Sequence, residues 1–203
     1  MANLIIIRHG ESEWNAKGLW TGLTDVSLNQ KGIEEAKNAG KLIQHFSFDK
    51  AFTSKLKRAI QTLEIVNEKL DKKITDIFES VALNERNYGI LTGKNKWEIK
   101  KEKGEKEFLQ LRRGWDYKIP EGESLKDVYN RVIPYYDQDI LPELKSGNNI
   151  LVVAHGNSLR ALVKHIENIS DTDIVNLNIE LGSVYLYEIS SEGKITKKTV
   201  LQD

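Results

Sequence analysis

The chain has 203 residues, of which 39% are hydrophobic and 30% charged, at a mean hydropathy of −0.47; at roughly 100–200 residues per domain it forms a single unit, residues 1–203, with one sizeable core. Thirty basic against thirty acidic residues give a formal net charge of +0, which excludes the global basic field that collects nucleic acid or an anionic membrane surface. No apolar run approaches the roughly 20 residues of a membrane helix, Met1-Ala2-Asn3 lacks the basic start of a signal peptide, and zero cysteines remove disulfides and thiolate chemistry, so cytoplasm is the expected compartment.

In chain order, Leu4-Ile5-Ile6-Ile7 is continuously apolar, as a strand buried on both faces requires. Ser27 and Gln30 form a capping box ahead of Ile33, Ala36, Gly40 and Ile43 at helical spacing. Ala51-Phe52-Thr53 is a short strand, and Ser54 precedes a second amphipathic helix through Leu56, Ala59, Leu63, Val66 and Leu70. The charged stretch Lys94 to Lys106 reads as a solvated helical face. Ser124 with Asp127 caps a helix that Pro134 should kink or break. Ile150 to Ala154 is a second doubly buried strand, Ser170 with Asp173 opens a short helix, and Val184–Ile189 with Ile195–Leu201 form a hairpin about Gly193. Alternating strands and helices predict an α/β fold of three layers, α/β/α, around a mostly parallel central sheet.

Two histidines share one setting. His9 follows the first buried strand and His155 the second, each with a glycine next, in Arg8-His9-Gly10 and Ala154-His155-Gly156. Ligands of open α/β sheets bind beyond the carboxyl ends of strands. A helix starting near Asn157 would aim free N–H groups at an anion, and Gly156 allows close approach. A lone histidine is ordinarily a packed or surface residue, and His45 and His165 are read that way. Arg58 sits in the first turn of its helix, where a cation opposes the helix dipole at a cost of ~0.3–1 kcal/mol when exposed. Two histidines and two arginines at one sheet edge form a phosphate or carboxylate site. The Gly-Lys pairs lack the rest of a P-loop, Gly156 to Arg160 misses a nucleophile elbow by its last residue, and no H-x-x-x-H pattern offers a metal site.

Leu4 to Asn15 (Leu-Ile-Ile-Ile-Arg-His-Gly-Glu-Ser-Glu-Trp-Asn) resembles the signature of the histidine phosphatase superfamily. The likeness runs on through Thr21-Gly22, Arg58-Ala59, Leu83-Asn84-Glu85-Arg86 with Tyr88-Gly89, Lys96, Arg112-Arg113-Gly114 and Ala154 to Arg160. It covers nearly the whole chain and points to the cofactor-dependent phosphoglycerate mutases, and so to a phosphoglycerate mutase-like fold. The resemblance implies a phosphohistidine on His9, Glu85 as proton donor and acceptor, and His155, Arg8 and Arg58 as the other catalytic groups. It implies ligand contacts from Arg8, His9, Gly10, Glu11, Ser12, Glu13, Trp14, Asn15, Thr21, Gly22, Arg58, Glu85, Arg86, Asn87, Tyr88, Lys96, Arg112, Arg113, Gly156 and Asn157. It also implies 2,3-bisphosphoglycerate as primer and intermediate, a small phosphorylated three-carbon acid as substrate, and no metal. A phosphatase of the same fold is the alternative.

Three departures stand out. The segment after Gly114 is shorter than in larger members, where it makes oligomer contacts, which is compatible with a monomer. Leu23 stands where the family pattern has Trp. The sequence ends at Asp203, soon after its last predicted strand, where many members carry a tail over the site, so a site less shielded from water is expected.

Overall fold

A computed structural model describes residues 1–202, and Asp203, on which the expectation about the chain's end falls, lies outside them. The element order is β1 (Ala2–Arg8), α1 (Glu13–Ala16), α2 (Gln30–Leu42), β2 (Lys50–Thr53), α3 (Lys57–Lys69), β3 (Ile77–Glu79), α4 (Lys96–Arg113), α5 (Leu125–Tyr135), α6 (Leu141–Lys145), β4 (Ile150–Ala154), α7 (Gly156–Ile166), β5 (Val184–Ile189) and β6 (Ile195–Leu201). The sheet order is β3-β2-β4-β1-β5-β6. The first four strands are mutually parallel, while β5 pairs antiparallel with β1 and with β6. The three-layer, mostly parallel architecture expected from the sequence is the one observed.

Both faces of the central strands are dry, which is why Leu4–Ile7 of β1 and all of β4 are apolar. Leu4, Ile6, Ile150, Val152 and Ala154 pack with Val128, Val132, Leu159 and Leu162 of α5 and α7. Ile5, Ile7, Leu151 and Val153 point the other way, against Ala39 of α2 and Leu63 and Val66 of α3. A third cluster, Trp20, Tyr88, Leu91, Ile99, Phe108, Leu111 and Ile119, stands apart from both.

Several local expectations are corrected. Asn29, not Ser27, caps α2: its Oδ1 accepts from Gly32 N at 2.9 Å. Ser54 is not the side-chain cap of α3, which starts at Lys57 after Leu56, because its hydroxyl pairs with His155. The chain stays helical past Pro134 and changes register in a π-helical turn over Tyr136–Ile140 before α6. The Ser124–Asp127 capping box is present, and Ser170 and Asp173 hold a 3-10 turn at Asp173–Asn176 rather than an α-helix. The charged stretch lies in α4, whose helical path is broken at Gly104 (φ 79°, ψ 166°), a conformation open essentially to glycine; Ile99, Phe108 and Leu111 of α4 are buried. The edge strand β3 was not foreseen, being three residues long and exposed on each.

The loop leaving β1 is clamped against the start of α2. A Cβ on Gly10 would run into the Gly32 carbonyl, and one on Gly32 into the Glu11 backbone. This contact fixes the turn that carries His9, so Gly32→Ala is expected to destabilise the fold by about 1–3 kcal/mol through overpacking. At about 2–4 °C per kcal/mol for a chain of this size, calorimetry would record the loss, and an unchanged Tm would show that the clamp is not tight.

Candidate active site

Register brings the two histidines together. Arg8 of β1 lies opposite Ala154 of β4, and His9 N donates to the Ala154 carbonyl at 3.0 Å. Their imidazoles therefore stand side by side, with ring centroids 4.9 Å apart at 61°. His9 is 2% exposed and His155 fully buried.

The tautomers follow from the partners. His9 Nδ1 is 2.6 Å from the Gly10 carbonyl, which only accepts, so Nδ1 carries the proton and Nε2 keeps a lone pair. His155 Nε2 is 2.6 Å from Ser54 Oγ, which already accepts from Leu56 N. Among the described residues the Ser54 O–H has no other acceptor, so it donates to the Nε2 lone pair, and the ring hydrogen of His155 is on Nδ1, without a partner there. Burial, then Arg58 and Arg8, hold the His9 pKa well below the usual 6.5; burial, then Arg58, His9 and Arg8, do the same to His155. Both rings are neutral at pH 7. Neutral His9 thus offers a lone pair at Nε2, and neutral His155 a hydrogen at Nδ1.

Two arginines flank the pair, each held by backbone carbonyls. Arg8 Nη1 donates to Ile179 O at 2.6 Å, while its buried Nε has no partner. A Cβ on Gly156 would sit 3.3 Å from Arg8 Cζ, so the glycine makes room for this guanidinium at the start of α7. Arg58, in the first turn of α3, donates to Gly22 O at 2.8 Å and Thr24 O at 2.9 Å. Burial lowers its pKa to about 10, against the opposing pull of Glu85 and Asp25. The guanidinium in the first helical turn is thus tied to the Gly22–Thr24 loop, where Gly22 takes a left-handed φ of 53°.

Glu85 is 7% exposed, and its two oxygens are unequal. Oε1 accepts from Arg86 N at 2.8 Å, Asn157 N at 3.1 Å and Asn157 Nδ2 at 3.2 Å. Three donors on Oε1 leave Oε2 as the oxygen that can carry and pass a proton. Asn157 Nδ2 also donates to Tyr88 OH at 2.8 Å, and burial, reinforced by Glu85, raises the Tyr88 pKa.

One pocket collects Arg8, His9, Asn15, Thr21, Gly22, Arg58, Glu85, Tyr88, Lys96, Arg112, Arg113, Gly156 and Asn157. Asn15 Oδ1 is occupied by Ser12 N and Ser12 Oγ, which leaves its Nδ2 free. Lys96, at the start of α4, has its pKa lowered to about 8 by burial and then by Arg112 and Arg8. Arg113 Nη2 donates to Asn178 Oδ1 at 2.7 Å. His155 packs against the His9 ring and does not itself line the pocket wall.

The remaining ligand contacts expected from the resemblance lie outside this lining. Gly10 packs on Gly32. The Glu11 carboxylate binds Asn29 at 2.8 Å and Lys31 at 3.0 Å on the outer surface. Ser12 caps α1, Glu13 is exposed, and Trp14 lies over Gly93. Arg86 spends its guanidinium on the carbonyls of Glu123, Leu111 and Tyr117. Asn87 accepts from Gly89 N within its own turn and donates across to Glu121 O. Four lining residues were missed: Trp20, Arg160, Asn178 and Ile179. Trp20 adjoins Thr21-Gly22 in sequence and Arg160 lies one helical turn beyond Asn157, a signal that the spacing contained.

A family model described as the histidine phosphatase superfamily (branch 1) matches residues 4–201. A relative from Cytophaga hutchinsonii, named 2,3-bisphosphoglycerate-dependent phosphoglycerate mutase, is 50% identical over 95% of this chain and 90% of its own. One of the same name from Tropheryma whipplei is 47% identical over 97% of each. Among solved structures, the α-ribazole phosphatase from Shigella flexneri has a TM-score of 0.81 at 26% identity, over 99% of this chain and 96% of that one. The chain therefore belongs to branch 1 of the histidine phosphatase superfamily, in the family of the 2,3-bisphosphoglycerate-dependent phosphoglycerate mutases.

Proposed function

We propose that the chain is an isomerase that interconverts 3-phosphoglycerate and 2-phosphoglycerate through a phosphohistidine on His9, with 2,3-bisphosphoglycerate as primer, acting in the cytoplasm. The observation that carries this reading is the second set of cations. Lys96, Arg112 and Arg113 line the same pocket as Arg8 and Arg58. A phosphatase has to grip one phosphoryl group, whereas a mutase also holds a second phosphate and a carboxylate while the molecule reorients. Buried polar atoms without protein partners at Arg8 Nε, Trp20 Nε1, Thr21 Oγ1 and His155 Nδ1 lie in or beside that charge, an arrangement that fits a small polyanion. When bound, 2,3-bisphosphoglycerate supplies the phosphoryl group that His9 carries.

The chain's own groups divide the work. His9 Nε2 attacks phosphorus, and its neutral form is favoured by burial and by Arg58 and Arg8. Charge accumulates on the three equatorial oxygens of the transferring group, and Arg8, Arg58 and the His155 Nδ1–H are fixed donors for it. Glu85 Oε2 gives a proton to the departing hydroxyl oxygen and takes one from the hydroxyl that attacks in return. Hydrolysis of small phosphomonoesters is the second reading. It is favoured by the likeness in fold to the α-ribazole phosphatase, and it uses the same His9, Glu85 and His155.

With 3-phosphoglycerate as substrate, catalytic 2,3-bisphosphoglycerate is expected to raise the rate of 2-phosphoglycerate formation strongly, with little free phosphate. Phosphate release without isomerisation would assign the chain to the second reading. His9→Ala should abolish labelling of the protein by labelled 2,3-bisphosphoglycerate, and acid-labile phosphate on that variant would name another nucleophile. Because the His9 pKa lies well below 6.5, labelling of the native chain should proceed undiminished at pH 6, where an ordinary imidazole is largely protonated. A rate that already falls between pH 7 and 6 would contradict the buried, neutral ring.

Lys96 gives a separate signature. In the free pocket it loses its charge as pH rises through about 8, while a bound anion favours the charged form and takes up a proton. KM for 3-phosphoglycerate should therefore rise above pH 8, and Lys96→Met should flatten that rise while raising KM at pH 7 by about tenfold, the equivalent of 1.4 kcal/mol. A rise of equal steepness in the variant would place the titrating group elsewhere.

A further inference from the structure

In the pocket lining, a buried guanidinium reaches the proton-transfer group through one intermediary. Arg160 of α7 is 4% exposed. Its Nη1 donates to Asn157 Oδ1 at 2.9 Å, Nη2 to Arg113 O at 2.8 Å and Ile174 O at 2.7 Å, and Nε to Leu177 O at 3.1 Å. Three carbonyls from the end of α4 and from the 174–177 turn thus fix the fork, and its fourth acceptor is the amide of a pocket residue.

The chemistry of that contact is one-directional. A guanidinium only donates, so the Asn157 oxygen must face Arg160 and the amide nitrogen must face the opposite way. There it donates to Glu85 Oε1 at 3.2 Å and Tyr88 OH at 2.8 Å. A reversed amide would set its oxygen against the carboxylate oxygen, two acceptors in contact, and the repulsion would push the Glu85 carboxyl off the backbone donors Arg86 N and Asn157 N that place it.

We propose that Arg160 is a positioning residue for proton transfer: by fixing the Asn157 amide it holds the Glu85 carboxyl in place, with Oε1 on its donors and Oε2 left to carry the transferable proton. This rests on the reading of Glu85 as proton donor and acceptor. In the step concerned, the ester O–P bond breaks, the P–N bond to His9 Nε2 forms, and the Glu85 proton goes to the leaving oxygen. A leaving group that departs as a stable phenolate does not need that proton, whereas an alkoxide leaving group does.

The test compares two phosphoryl donors to His9, 2,3-bisphosphoglycerate and p-nitrophenyl phosphate, in rapid-quench measurements of phosphohistidine formation. Arg160→Met is expected to slow transfer from the bisphosphoglycerate by about tenfold to a hundredfold, the scale of a misplaced catalytic group, and to leave transfer from the aryl ester nearly unchanged. Added to Asn157→Ala, it should cause little further loss, since the two act as one unit. Arg160→Lys keeps the charge but not the fork, and should show the same selective loss, which keeps the experiment readable where the methionine variant fails to fold. Equal loss on both donors, additive loss in the double variant, or full activity in Arg160→Lys would overturn the proposal. A native chain that takes phosphate from neither donor would overturn the reading of function, and this inference with it.

Discussion

The parallel register of β1 and β4 decides where the chemistry sits. Arg8 faces Ala154, and the next residue along each strand is a histidine, so two imidazoles meet at the carboxyl edge of the sheet with no loop needed to bring them there. The hydrogen bond from His9 N to Ala154 O closes the ladder at its last rung. A one-residue slip would draw Asn3 or Arg8 into the dry interior that Leu4, Ile5, Ile6 and Ile7 fill between two clusters. The energy that aligns the nucleophile and its partner is therefore hydrophobic burial in the strands beneath them, and it is set before any ligand arrives. Gly10 against Gly32 then fixes the turn that leaves the edge.

Charge is the second constraint, and here neutrality of the whole chain conceals its distribution. Arg8 and Arg58 face the site, yet the hydrogen bonds that hold them go to the carbonyls of Ile179, Gly22 and Thr24. Carbonyl dipoles orient a guanidinium without cancelling its charge, so the cation remains available to an anion, whereas a carboxylate partner would quench it. The consequence for the histidines is direct. Burial and these uncancelled cations keep both rings neutral, which is the state that attack by one and donation by the other require. Glu85 is the carboxylate in the pocket lining, and its Oε1 is already engaged by three N–H groups.

The strands were legible in the sequence because a run such as Leu4 to Ile7 has only one stable environment, between two helical layers. So was the paired setting of His9 and His155, which depends on strand ends alone. What could not be read was which partner each polar side chain would choose. Ser54 looks like a helix cap until His155 arrives from 101 residues away to take its hydroxyl, and Ser27 loses the cap of α2 to Asn29, whose oxygen reaches Gly32 N. Arg86 and Arg160 show the same ambiguity from the side of function. Both are buried arginines in motif segments, and Arg86 ties its own loop to the last turns of α4 and to the segment between α4 and α5 while lying outside the pocket lining. Resemblance carried the assignments of Lys96, Arg112 and Arg113, since nothing in the spacing of a charged helix separates a pocket cation from a solvated one. The edge strand β3 left no pattern, because three exposed residues have no buried face to encode.

The two halves of the pocket rest on different cores, and this bears on how one fold serves more than one reaction. The transfer machinery, His9, His155, Arg8 and Arg58, stands on the sheet and the first turns of α3 and α7. The additional cations stand on α4, whose buried residues Ile99, Phe108 and Leu111 belong to the separate cluster with Trp20 and Tyr88. Lys96 Nζ lies 6.0 Å from the centre of the Trp20 ring, and Arg112 Cζ lies 5.6 Å from that of Phe108. Because that cluster is distinct from the two against the sheet, the positions that grip the rest of a substrate can change without disturbing the register of β1 and β4. A chain with the same sheet and a different α4 would keep the paired histidines and lose Lys96, Arg112 and Arg113 from the pocket. Likeness of fold to a phosphatase and likeness of sequence to mutases are then compatible, since the paired histidines stand on the sheet while the additional cations stand on the smaller cluster.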